Sequence, residues 1–91
     1  MTQERISRLR AALERELAPL ELEIQDDSAR HVGHPGAREG GHFRVRVVSE
    51  SFRGKTAIQR HRLVFAAAGS LMGRDIHALN IDARTPEEIS S

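Results

Sequence analysis

The chain has no cysteine, no tryptophan and no tyrosine, and its aromatics are three phenylalanines, Phe43, Phe52 and Phe65. Without cysteine there is no disulfide framework, no thiol nucleophile and no thiolate metal site, so any soft-metal chemistry must use histidine or borrow sulfur from a partner. Without tryptophan or tyrosine, stacking platforms for single-stranded nucleic acid are scarce. No apolar run approaches a membrane span, and Met1-Thr2-Gln3-Glu4-Arg5 lacks the apolar segment of a signal peptide. These absences point to a soluble, cytoplasmic protein.

What is present is one domain's worth of chain with an uneven charge. The formal net charge of the 91 residues is +1. Residues 1–27 hold four basic and seven acidic side chains, residues 28–62 hold eight and two, and residues 63–91 hold two and four. The middle third is therefore a basic block, and it contains His31, His34, His42 and His61.

Hydrophobic spacing predicts helix, strand, strand, helix, strand and a short helical end. Ile6, Leu9, Leu13 and Leu17 give a narrow apolar stripe on a charged helix that Pro19 stops. From Leu20 the period becomes two, with Leu20, Leu22 and Ile24 on one face and Glu21, Glu23 and Gln25 on the other. A polar, glycine-rich loop follows, flexible over 28–41. His42 to Val48 resumes the alternation with Phe43, Val45 and Val47 inward, and Arg44 and Arg46 share the outer face with Glu21 and Glu23. Thr56 can cap a long helix reaching Gly69 or Gly73. On its wheel Ile58, Val64, Phe65, Ala68, Leu71 and Met72 form one arc that also holds His61, predicted to be partly buried in the core or to line a groove. His77 to Ile81 forms the third strand, with His77 in phase with Leu79 and Ile81 at its entrance. Thr85-Pro86-Glu87-Glu88 reads as a capping box with proline at the first helical position. The expectation is a single two-layer α+β domain, with a three-stranded mixed sheet and its helices on one face.

Two motifs of nucleotide and nucleic-acid proteins fail on inspection. Gly54-Lys55-Thr56 lies between a strand and a helix, but Ser49 stands where a phosphate-binding loop needs its first glycine. Gly33-His34-Pro35-Gly36 spells a G-x-x-G, yet it falls between two strands instead of opening a helix. No paired carboxylates or activated nucleophile suggest an enzyme, and nothing marks a small-molecule substrate. By spacing alone the histidines are a weak metal signal; His42 starts a strand with no partner indicated, and His31 and His34 share the loop.

The Phe52-x-Gly54 turn, the Arg60-His61-Arg62 triplet before Leu63-Val64, and His77-Ala78-Leu79 before an apolar strand end resemble the signature of the BolA family. Asp26-Asp27-Ser28 with His31, His42-Phe43 and Val47-Val48-Ser49 match the same pattern in the same order, so the similarity covers roughly residues 6 to 86. The resemblance implies a fold like the second class of KH domains. It further implies a non-enzymatic adaptor that pairs with a monothiol glutaredoxin and shares a [2Fe-2S] cluster in iron–sulfur trafficking or iron homeostasis. In such proteins the glutaredoxin cysteine and glutathione supply sulfur to one iron. The histidine before Ala-Leu, here His77, and a residue of the first loop, here His31 with His34 as the rival, hold the other; the isolated chain would bind no cluster. The family also implies an alternative, a DNA-binding transcriptional regulator that uses a basic face made here of Arg53, Lys55, Arg60 and Arg62.

Overall fold

The computed structural model describes residues 2–27, 41–74 and 76–89. Helix α1 (Thr2–Leu17) leads into strand β1 (Glu21–Asp26); β2 (Gly41–Val48) is followed by a 3-10 turn at Glu50–Phe52, helix α2 (Ala57–Ala68) and a second 3-10 turn at Gly69–Leu71; β3 (Ile76–Arg84) and a last helical turn α3 (Pro86–Ile89) complete the order. The sheet runs β1-β2-β3, with β1 antiparallel and β3 parallel to the central β2. A parallel neighbour needs a crossover, and α2 is that crossover.

One core joins the layers. Leu9, Leu13 and Leu17 of α1, Phe43, Val45 and Val47 of β2, Val64, Ala67 and Ala68 of α2, and Phe52 and Ile76 are buried together, with Leu22, Ile24, Leu79, Ile81 and Ala83 packed against them. The opposite face of the sheet is polar and laddered by charge. The register sets Glu23 beside Arg46 and Arg46 beside Asp82, and the Arg46–Glu23 ion pair spans 3.8 Å.

Chain reversal after α1 is tied down by the hydroxyls of Ser49 and Ser51, both of which donate to the Leu17 carbonyl. Ala18 adopts φ 45°, a left-handed conformation that ends the helix, and Pro19 cannot continue it. The buried Ser49 hydroxyl donates to the Leu17 carbonyl at 2.6 Å and accepts the Ser51 amide at 3.0 Å. An orphaned helix-end carbonyl is thereby satisfied from another element. At the start of α2, Thr56 and Gln59 form a reciprocal capping box.

Three expectations need correction. Leu20 precedes β1 and is exposed, not part of its inner row. In α2 the arc drawn from hydropathy is rotated from the buried face: Val64 and Ala68 lie inside, but Ile58 is 65% exposed and Phe65 is 40% exposed, while His61 is exposed and lines a groove rather than entering the core. The physical reason is close helix packing, since the buried face is built on Ala67 and Ala68, small residues that hydropathy weights lightly. Finally, β3 is longer than 77–81 and starts at the buried Ile76, which displaces His77 from the phase of Leu79 and Ile81.

Candidate functional site

Parallel pairing brings the beginnings of β2 and β3 to the same end of the sheet. Gly41 pairs with Ile76, but His42 pairs with Ala78, so His77 is the extra residue of a bulge. The bulge leaves His77 exposed and sets its ring beside that of His42, with centroids 5.2 Å apart and planes tilted by 45°. Two imidazoles that share one metal ion at a nitrogen–metal distance of about 2 Å have ring centres about 5 Å apart, so this spacing suits joint ligation.

Local packing fixes the pair. A Cβ at Gly41 would run into the ring of Phe43, which is 2% exposed and cannot yield, so the residue before His42 must be glycine. On β3, the Gly73 amide donates to the Ile76 carbonyl at 2.8 Å and closes the turn before His77. The Asp27 amide donates to the His42 carbonyl at 2.7 Å. Its carboxylate reaches Arg44 at 3.6 Å through one oxygen, while the other, Oδ1, is buried without a hydrogen-bond partner among the described residues. Asp27, His42 and His61 line one open groove of about 460 Å³ with Ala78 to Ile81 of β3.

The donor set fits part of a metal cluster, not a closed mononuclear site. Among the described residues no group of three or more His, Asp or Glu side chains could hold an ion, and the chain has no thiolate to offer. His77 is exposed, whereas His42 is half-buried with its Nε2 enclosed, and such a pair could bind one iron only with the remaining ligands supplied from outside.

The basic residues separate into two kinds. Arg53 bonds to Glu50 through two nitrogens and to Glu87. Arg60, its side chain 15% exposed, donates to the Lys55 and Ala83 carbonyls and in a fork to both oxygens of Glu88, at 2.7 and 3.1 Å. These bonds, with the Thr85 amide, hold the Glu88 carboxyl down at about 2, and Arg53 likewise lowers Glu50. Lys55 and Arg62 are exposed and make no ion pair among the described residues. Of the four cations proposed for DNA, two are thus already neutralised within the chain.

His77 is where the sequence put it, at a strand entrance, while His31 and His34 lie outside the described residues. His42 is the site residue that spacing along the chain missed. Its signal was available only jointly, in the first positions of two strands that turn out to be parallel neighbours.

Fold and site together define a small α+β domain that presents an imidazole pair at one end of a mixed sheet. A BolA-like protein family model matches residues 13–88, and the chain belongs to that family. It is 41% identical over 88 residues to SufE-like protein 1, chloroplastic/mitochondrial, of Arabidopsis thaliana, covering 90% of this chain and 24% of that protein. It is 46% identical over 80 residues to BolA-like protein 1 of Homo sapiens, covering 88% of this chain and 57% of the relative. The chain thus spans from a quarter to a little over half of these relatives' length. Among solved structures, the BolA domain of SufE1 from Arabidopsis thaliana matches with a TM-score of 0.81 and 44% identity, over 91% of this chain and 93% of that one. BolA1 from Mus musculus matches with a TM-score of 0.77 and 42% identity, over 92% and 67%. Among the described residues, no helix is long and apolar enough to cross a membrane.

Proposed function

We propose that this chain is a non-enzymatic BolA-like adaptor that binds a monothiol glutaredoxin and shares a [2Fe-2S] cluster with it as cargo, in iron–sulfur trafficking or iron homeostasis. The observation that carries the reading is the His42–His77 pair, a half-buried and an exposed imidazole 5.2 Å apart at one end of the sheet, in a chain without cysteine thiolates. Membership of the BolA-like family and a relative named for SufE support an iron–sulfur setting. His77 is one ligand. His42 is the second on geometry, and His31 or His34 is the competing choice. The glutaredoxin cysteine and glutathione supply the thiolates that the chain lacks. Neutral imidazoles on one iron raise the reduction potential above that of an all-thiolate cluster, which suits a holder that gives its cargo up.

Mixing the purified chain with cluster-loaded glutaredoxin and glutathione and following visible circular dichroism tests the reading. A new spectrum that His77→Ala abolishes supports it, and an unchanged spectrum overturns it. Separate His42→Ala, His31→Ala and His34→Ala variants identify the second ligand by which one also loses the spectrum.

A further inference from the structure

Ile58, His61 and Phe65, which the wheel assigned to the core, lie on the uncovered face of α2. Ile58 and Phe65 are two helical turns apart, on one side of the helix, and both are exposed. His61 and Arg62 lie between them and are exposed as well. Scattered apolar exposures are ordinary in a small domain, but here two large side chains are aligned on one face. His61 lines the groove that His42 lines, so the stripe adjoins the candidate ligand pair. At the helix start Lys55, and midway along it Arg62, make no ion pair among the described residues, whereas Arg53 and Arg60 beside them do.

We infer that the Ile58–His61–Arg62–Phe65 face of α2 is the docking surface for the protein that brings the cluster's thiolates, and that the partner meets it with an apolar side chain flanked by carboxylates. The identity of the partner rests on the function proposed above; the location and chemistry of the surface rest on α2. Two apolar anchors with Arg62 between them and Lys55 at one end match a partner whose apolar side chain is flanked by carboxylates. A second copy of this chain fits poorly, since a two-fold contact centred on this face would bring Arg62 against its own counterpart. Nucleic acid fits poorly too: Ile58, the more exposed of the two anchors, offers no stacking surface beside Phe65, and the neighbouring Arg53 and Arg60 are engaged by carboxylates.

The test is calorimetric titration of the chain with a cluster-free monothiol glutaredoxin at two salt concentrations. The doubly substituted Ile58→Ser/Phe65→Ser chain is expected to bind at least tenfold more weakly. Arg62→Glu is expected to weaken binding more at low salt than at high salt. Glu14→Gln, on the exposed side of α1 and away from both the α2 face and the histidine pair, is expected to bind the cluster-free partner as the unsubstituted chain does. All substituted positions are exposed, and unchanged thermal melts confirm that the variants are folded. Unchanged affinity of both the Ile58/Phe65 and the Arg62 variants overturns the docking surface while leaving the cluster reading intact. A complex that forms, weakens in those variants and yet carries no cluster removes the cluster reading and leaves the surface. Failure of the unsubstituted chain to bind, or a sedimentation profile showing a dimer that the Ile58/Phe65 variant dissolves, overturns the inference.

Discussion

His42 and His77 meet because Ile76 takes the ladder position opposite Gly41 and pushes the next residue out of line. Their rings come from different strands, yet neither depends on a long side chain reaching across the surface. The contact is set by the main-chain register of a parallel pair. Such a site is preorganised by the sheet, and its chemistry can be changed without disturbing the fold.

His77→Ala therefore separates function from stability. The side chain is exposed and outside the core, so its loss should change unfolding free energy by no more than about 0.5 kcal/mol. Urea denaturation should give the same midpoint and slope as for the unsubstituted chain, while the cluster spectrum is lost. A marked fall in midpoint would show that His77 is structural.

Gly41→Ala should do the reverse. The added methyl meets the Phe43 ring, itself sealed in the core, and overpacking of this kind costs about 1–3 kcal/mol. Because the displaced residue precedes His42, the variant should also shift the His42 ring resonances in NMR spectra. An unaltered melting curve with unaltered His42 signals would contradict this account of the pair's positioning.

Ser49→Ala removes the bond that ties the end of α1 to the end of β2. The Leu17 carbonyl would keep only the Ser51 hydroxyl at 3.3 Å, and the loss should cost about 1–2 kcal/mol. A Ser49→Ala/Ser51→Ala double variant should cost more than the sum of the two single changes, because it strips the carbonyl of both donors. Additivity in chemical denaturation would argue that water replaces them freely.

Acid sensitivity should trace in part to Glu88. Its carboxyl is lowered from 4.5 to about 2 by the Arg60 fork and the Thr85 amide, so the folded state favours the ionised form. A depressed value in the folded chain means a contribution fully present above about pH 4.5 and lost as the pH falls through about 2. Glu88→Gln should therefore be less stable than the unsubstituted chain at neutral pH, with the gap narrowing across that window. A gap that stays constant from pH 7 to pH 2 would show that the ion pair adds nothing, as holds for many exposed pairs.

Local patterns were legible wherever neighbours along the chain decide the outcome. The capping box at Thr56 and, at Thr85, the arm in which its amide donates to Glu88 follow from residues three apart, and the Glu23–Arg46 pairing follows from the alternation of two antiparallel strands. The exposed face of α2 was not legible, because a helical wheel ranks side chains by apolarity and cannot show that α1 selects the small Ala67 and Ala68 for close approach. Nor was the state of Arg53 and Arg60. Both belong to the basic middle third, and although Glu50 lies close to Arg53 along the chain, Glu87 and Glu88 arrive from the other end. His42 was hidden for a third reason: its neighbour is chosen by strand order and by a single-residue bulge, neither of which leaves a local trace.

The parallel crossover has a consequence for how such a centre could be rebuilt. Here two neighbouring strands that start on the same side of the sheet, the second carrying one extra residue, bring two imidazoles to 5.2 Å. Grafting a Gly-His opening and an Ile-His opening onto an unrelated parallel pair is thus a minimal recipe for an open half-site, ready for whichever donor molecule carries the missing sulfur.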